Sequence, residues 1–276
     1  MNKIYYYIRN QYVESTKAIV PFNDAGFLYG DGLFETMRFD NRVVFSIGNH
    51  LDRLFIGLKQ INLLIEIQKK DIKNLIYKLI DMNSLDSGII RVMITRGVVE
   101  QFDNSHGEPS IYISIKPFYS IPMEPIRVAY YDETKYPIIR FHPAIKSMNY
   151  IGNMLAKQDA KKDNVFEPVF YNNSKIITEC AIRNIFYIKD NAVITPKVSL
   201  GILSGVMRKN IIDVCEKMNL SVIEKSIKLS DVSIMDEAFI SSTGIGILPC
   251  YWDNWDSHFA LTLKIKKELF KKIKNT

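Results

Sequence analysis

Three prolines within nine residues, Pro117, Pro122 and Pro125, constrain most strongly how this chain can fold. Each lacks a backbone donor and has φ locked at about −65°, so the stretch neither continues a strand nor opens a long helix. It reads as a connector between an N-terminal domain over 1–118, a linker over 119–125 and a C-terminal domain over 126–276. In the first half, Lys3 to Ile8, Arg42 to Phe45, Ile89 to Thr95 and Ile111 to Lys116 have strand character. Asn49 to Ile61 and Lys69 to Met82 have helical spacing, which together make an α+β pattern.

The second half carries strand-like runs at Arg127 to Tyr131, Pro168 to Tyr171, Asn184 to Ile188, Val193 to Thr195, Ser221 to Ile223 and Ala238 to Ser241. A helix is expected from near Met148, with Ser147 able to cap it, and another over Gly205 to Met218. Leu261, Ile265, Leu269 and Ile273 fall at helical spacing near the C-terminus, which puts the neighbouring lysines on a solvated face.

At 276 residues and 47% hydrophobic content, the chain can bury a substantial core. Its apolar runs, such as Ile61 to Ile67 with Asn62 and Glu66 inside it, fall far short of the roughly 20 residues of a membrane span. The N-terminus has no long apolar stretch of the kind an export signal needs, so the expected location is cytoplasmic. The +6 net charge comes without interleaved aromatics or a groove-binding motif, which argues against nucleic acid as a partner. Cys180, Cys215 and Cys250 are too widely spaced for a disulfide framework or metal cluster. The four histidines, His50, His106, His142 and His258, lack paired ligand spacing, and no metal is expected. Gly26-x-x-x-Gly30-x-Gly32 has the wrong spacing for a dinucleotide fingerprint, and no nucleophile elbow is present.

Chemistry enters with Lys146 and Glu179. A lysine at a helix entrance, followed downstream by an acid between apolar strand-like stretches, suits an aldehyde cofactor with a basic ring nitrogen, pyridoxal phosphate. An amine condenses with an aldehyde only when neutral, and Ile145, Met148 and Tyr150 supply apolar surroundings. A carboxylate against the ring nitrogen favours its protonated form, a role open to Glu179. Tyr150 could hold the ring oxygen. Phosphate donors could come from Arg53, from the backbone at Val206 and Met207 after Gly205, and from Ser242 with Thr243 before Gly244. Taken alone each signal is weak. A lysine at a helix start usually faces solvent, and Glu179 could simply pair with Arg183.

The order and wording of these runs resemble one family. Asp24-Ala25-Gly26-Phe27-Leu28-Tyr29-Gly30-Asp31-Gly32-Leu33-Phe34-Glu35-Thr36-Met37-Arg38 is similar to its N-terminal signature, and His50-Leu51-Asp52-Arg53-Leu54 to its phosphate-arginine helix. The Lys146 run, Thr178-Glu179, Gly201-Ile202-Leu203-Ser204-Gly205-Val206-Met207-Arg208 and Asp236-Glu237-Ala238-Phe239-Ile240-Ser241-Ser242-Thr243 follow in that family's order. The family is the class IV, or fold type IV, pyridoxal-phosphate enzymes: branched-chain aminotransferases, D-amino-acid aminotransferases and 4-amino-4-deoxychorismate lyases.

The resemblance implies a small N-terminal α/β sandwich, a larger C-terminal pseudobarrel and a homodimer in which a neighbouring subunit's loop helps close each site. It implies that Lys146 is the Schiff-base lysine, Glu179 the pyridine partner, Arg53 a phosphate ligand and Tyr150 the neighbour of the ring oxygen. Phe34 falls on the substrate wall, with Tyr29, Arg96 and Gly244 on the substrate side. The implied reaction moves an amino group between an amino acid, branched-chain-like, and a 2-oxo acid. Pyruvate-releasing lyase activity, D-amino-acid transamination and a catalytically idle cofactor-binding relative are the alternatives.

Several positions depart from the family. The Arg-x-His carboxylate trap that D-amino-acid enzymes carry after Thr95-Arg96-Gly97 is replaced by Phe102-Asp103-Asn104, with His106 further on, which weakens the D-specific reading. Met207 stands where many relatives have a threonine, leaving only backbone donors there. Arg183 is bulky for its place near the ring and is expected to point to solvent or to meet a dicarboxylate substrate.

Overall fold

A computed structural model describes residues 3–99 and 108–274. Phe102, Asp103, Asn104 and His106 therefore lie outside the described residues. The chain divides into two compact units, Met1–Ser120 with Ile145–Asn149, and Ile121–Ala144 with Tyr150–Thr276. The short return of Ile145–Asn149 to the first unit is a long-range feature inside a stretch the sequence assigns to the second domain.

The first unit contains β1 (Tyr5–Ile8), β2 (Gln11–Glu14), α1 (Ala25–Tyr29), β3 (Gly32–Asp40), β4 (Val43–Val44), α2 (Ile47–Gln60), α3 (Lys69–Asn83), β5 (Gly88–Thr95) and β6 (Ser110–Pro117). Among the described residues its strands form one sheet in the order β2-β1-β6-β5-β3-β4. Arg9 and Asn10 both take positive φ, which lets a two-residue turn join β1 to β2. Alternation along the strands sends Met37 and Phe39 of β3, Ile90, Val92 and Ile94 of β5, and Ile113 and Ile115 of β6 into one core. Leu51, Leu54 and Leu58 of α2, with Ile72, Ile76, Leu79 and Ile80 of α3, meet them at helical spacing. A reciprocal capping box between Gln68 and Asp71 starts α3.

The second unit contains β7 (Ile126–Asp132), α4 (Ile151–Lys162), β8 (Glu167–Tyr171), β9 (Ile176–Cys180), β10 (Asn184–Lys189), β11 (Ala192–Pro196), α5 (Val206–Lys217), β12 (Val222–Lys225), β13 (Ile227–Lys228), β14 (Glu237–Ser242), β15 (Gly246–Tyr251) and α6 (Ala260–Lys274). The strands run β12-β11-β10-β14-β15-β7-β8-β9-β13, with parallel pairings at β11–β12, β15–β7 and β7–β8. Strand β9 also packs against β10 and β11, so the sheet curls back on itself, which is the pseudobarrel the family resemblance implies. Its interior holds Val128, Val169, Ile177, Ile185, Tyr187, Ile240 and Leu248. Helices α5 and α6 pack on each other and on β14, and Phe186 and Phe239 stack with ring centroids 4.9 Å apart.

One local expectation is corrected. No helix begins near Met148, and Ser147 is not a cap. The helix starts at Ile151, with Tyr150 in the N-cap position, while Ser147 bridges to Leu33. Next to Gly32–Phe34 the outer edge of β3 has no partner strand, because β4 pairs only with Phe39 and Asp40. Backbone groups of 146–148 satisfy that edge, and an extended backbone cannot also be helical.

Candidate active site

In the first unit the Phe34 N–H donates to the Lys146 carbonyl at 3.0 Å, and the Met148 N–H donates to the Gly32 carbonyl at 3.0 Å. Lys146 thus lies in an extended segment added to β3 rather than at a helix entrance. Its Nζ stands 4.5 Å from the centroid of the Phe34 ring. The guanidinium carbon of Arg91, on β5, lies 5.0 Å from the same centroid. An aromatic face attracts cations at this range, so the Phe34 ring gathers two positive groups.

Behind this edge sits a buried acid. Glu35 is fully buried and accepts from Arg53 Nε and Nη2, each at 2.7 Å, and from His50 Nδ1 at 2.7 Å. Burial alone would raise its carboxyl, but the Arg53 charge and the hydrogen bonds from His50 and Arg53 outweigh that and hold it down at about 2. An ionised carboxylate only accepts, so the His50 Nδ1 is protonated. Burial lowers the proton affinity of His50. Glu35 opposes that shift, while the positive charges of Arg53 and Lys146 add to it. Arg53 is therefore oriented from α2 by a carboxylate on β3.

In the second unit Glu179 lies on β9, not between strands. Its Oε1 accepts from Arg140 Nη1, and its Oε2 accepts from the Leu203 N–H at 3.1 Å. The Leu203 carbonyl in turn accepts from Asn184 Nδ2 at 3.0 Å. A Cβ on Gly205 would come within 2.0 Å of Asn184 Oδ1, so only glycine fits between that amide and the start of α5. Gly205 is the N-cap of α5 and supplies no side-chain cap, leaving the first-turn N–H groups of Val206 and Met207 aimed out of the helix end. Asn184 is paired with Ser241 on β14, whose end leads into the turn of Ser242, Thr243 and Gly244, closed by the Ile245 N–H on the Ser242 carbonyl at 3.2 Å. One chain of contacts thus gathers Glu179, the α5 N-terminus and the β14–β15 turn.

The remaining sequence-flagged residues have defined places. Tyr150 opens α4 and is half-buried. Tyr29 ends α1 and is 47% exposed, and Gly30 next to it takes φ 67° with its carbonyl held by Asn149 Nδ2 at 3.1 Å. The Arg96 guanidinium is engaged by Asp31, at 2.6 and 3.2 Å, and by the carbonyls of Ile61 and Asn62 at the end of α2. Those contacts give it the role of a brace between α1 and α2.

Arg183 corrects two expectations at once. It neither pairs with Glu179 nor points to solvent. Its side chain is 8% exposed and meets the fully buried Glu167, which also takes Lys157 Nζ at 2.8 Å and the Ile182 N–H at 3.0 Å. A buried carboxylate needs such partners, and Glu167 outcompetes any external acid for the guanidinium.

Sequence reasoning missed Arg140, Arg91, Glu35 and the Leu203 N–H. Arg140 is 39 residues from Glu179, beyond any local periodicity. Only the pairing register of β3 with β5 puts Arg91 beside Phe34.

Within the second unit, an acid braced by an N–H group and an uncapped helix N-terminus whose cap position admits no Cβ suit the ring nitrogen and phosphate of a phosphate-bearing pyridine aldehyde; within the first, a lysine over an aromatic ring is an amine of the kind such an aldehyde condenses with. The residues present fit that group. No helix is long and apolar enough to cross a membrane among the described residues, and no group of His, Cys, Asp or Glu there could hold a metal ion.

Residues 32–251 match the amino-transferase class IV family, and the chain belongs to that family. A Methanocaldococcus jannaschii protein named for branched-chain-amino-acid transamination is 31% identical over 253 residues, covering 89% of this chain and 86% of that protein. The D-alanine aminotransferase of Listeria monocytogenes serotype 1/2a is 32% identical over 257 residues, covering 88% of this chain and 85% of that enzyme. In structure the chain is similar to the branched-chain aminotransferase of Thermoproteus uzoniensis, solved with norvaline. The TM-score is 0.90 at 22% identity, over 98% of this chain and 95% of that one. The fold is that of the fold type IV aminotransferases, a pyridoxal-phosphate-dependent family.

Proposed function

We propose that this protein is a pyridoxal-phosphate-dependent aminotransferase that moves an amino group between a branched-chain-like amino acid and a 2-oxo acid. Bound pyridoxal phosphate would supply an aldehyde that condenses with amines and a cationic ring that takes up negative charge from the substrate α-carbon. Lys146 Nζ would be the amine that holds the cofactor and the group that moves the proton at the substrate α-carbon. The Glu179 carboxylate would favour the protonated ring nitrogen. Arg53, the N–H groups of Val206 and Met207 after Gly205, Ser242 and Thr243 would hold the phosphate, and Tyr150 the ring oxygen.

Phe34 is assigned to the substrate wall, and Tyr29 and Gly244 to the substrate side. Arg91, over the same ring as Lys146, receives a substrate carboxylate, while Arg96 holds the α1 end in place. The observation that carries the reading is the linked run of Glu179, Leu203, Asn184 and Gly205, which sets an acid beside an uncapped helix start.

We assign residues 126–276 as the cofactor-binding domain and 1–118 as the smaller domain. A cytoplasmic homodimer is part of the proposal. Phe22 at 80% exposure packs against Phe27 at 64%, and this pair supplies apolar area for a second copy.

A half-reaction screen with L- and D-amino acids, following the absorbance of the bound cofactor, tests the reading. Conversion by branched-chain L-amino acids with 2-oxo acid as acceptor supports it. Pyruvate release from aminodeoxychorismate with no acceptor would replace it by the lyase, and no conversion by any amino donor would leave an idle relative.

A further inference from the structure

Glu133, just after β7, and Thr178, beside Glu179, complete a cluster that the transamination reading leaves unused. Arg140 Nη2 donates to Glu133 Oε2 at 2.7 Å and to Thr178 Oγ at 3.1 Å, while the Thr178 hydroxyl donates to Glu133 Oε2 at 2.9 Å. The other terminal nitrogen of Arg140 donates to Glu179 Oε1. All three charged side chains are largely buried, at 17% exposure for Arg140, 16% for Glu133 and 15% for Glu179. Arg140 Nε is buried without a partner, so the guanidinium is oriented by its two ends and not by a bidentate pair with either acid.

The formal charges are Glu133 −1, Arg140 +1 and Glu179 −1, which sum to −1. Glu179 pairs with the same guanidinium, so the three side chains together keep one net negative charge. Its second oxygen is fixed independently by the Leu203 N–H at 3.1 Å. A carboxylate held at both oxygens keeps a set direction for its remaining lone pairs, as a ring N–H needs.

We propose that Arg140 is a positioning residue for Glu179. Braced at its far side by Glu133 and Thr178, it fixes the carboxylate oxygens that meet the cofactor's ring nitrogen. This rests on the reading of Glu179 as the ring-nitrogen partner.

The test uses the full-length protein with Arg140→Met, Arg140→Lys, Glu133→Gln, Glu179→Gln and the Arg140→Met/Glu179→Gln pair. The readouts are the dissociation constant of pyridoxal phosphate, the visible circular dichroism of the bound cofactor and the thermal midpoint without cofactor. Arg140→Met is expected to weaken cofactor binding about tenfold and to change the dichroic band. Arg140→Lys should recover part of the affinity, and Glu133→Gln should show a smaller loss. In the Glu179→Gln background Arg140→Met should add almost nothing.

Wild-type affinity and an unchanged band in Arg140→Met would overturn the inference while the function stood. So would an equal loss with and without Glu179. If Arg140→Met does not fold, the lysine and Glu133 variants carry the comparison, and wild-type behaviour in both would overturn it. A wild-type protein that takes up no pyridoxal phosphate would remove the function itself, and the inference with it.

Discussion

Leu33 and Ser147 face each other across a single antiparallel bridge, which fixes the backbone of Lys146 by groups that no side-chain change removes. The lysine can be altered without disturbing what holds it.

Lys146→Ala should therefore fold with near-normal stability, since the 3.0 Å bond from the Phe34 N–H is to the backbone. Activity should fall by about a thousandfold or more, in line with loss of both nucleophile and proton carrier. Borohydride reduction followed by mass spectrometry checks this, and a reducible linkage at the wild-type level in the variant would contradict it.

Stability should decline in acid in two stages. The His50 pKa is depressed below 6.5, so the unfolded chain takes up a proton there that the folded one resists, and stability starts to fall as pH drops below about 6.5. Glu35 is depressed from 4.5 to about 2, so its contribution is present above about 4.5 and is lost as pH falls towards 2. That shift corresponds to about 3 kcal/mol. Denaturant titrations at several pH values should show the lower stage flattened in Glu35→Gln.

Gly205→Ala places a methyl group 2.0 Å from Asn184 Oδ1, too close to keep. Relieving it must move Asn184 or the start of α5, at a cost of about 1–3 kcal/mol. Thermal unfolding with and without pyridoxal phosphate should show a lower midpoint and a smaller rise on adding cofactor. An unchanged pair of midpoints would refute the packing argument.

Arg183→Met leaves Glu167 buried with Lys157 and one N–H as partners. The expected destabilisation is about 3 kcal/mol, recovered in part by Glu167→Gln in the same chain. Relative activity toward dicarboxylate and apolar substrates should stay as in the wild type, and a selective loss of dicarboxylates would restore a substrate role for Arg183.

Arg91→Met removes a guanidinium lying 5.0 Å from the Phe34 ring centroid. KM for the substrate that uses its carboxylate there should rise about tenfold, with a smaller change in kcat. Steady-state kinetics against a series of 2-oxo acids separates the two.

What the amino-acid sequence determined by itself is whatever local spacing encodes. The apolar repeat of α2 and α3, the alternation in β5 and β6, and the helix after Gly205 were legible because neighbours a few residues apart decide them. Family membership was legible for a related reason, since it lies in the order of short motifs. Tertiary structure alone decided which side chain meets which across long stretches of chain. The open edge of β3 drew Ser147 away from a helix cap, Arg140 reached Glu179 from 39 residues away, and the buried Glu167 claimed Arg183. Hydrogen-bond demand at a sheet edge and the cost of an unpaired buried charge set those choices, and neither exists until the chain has folded around them.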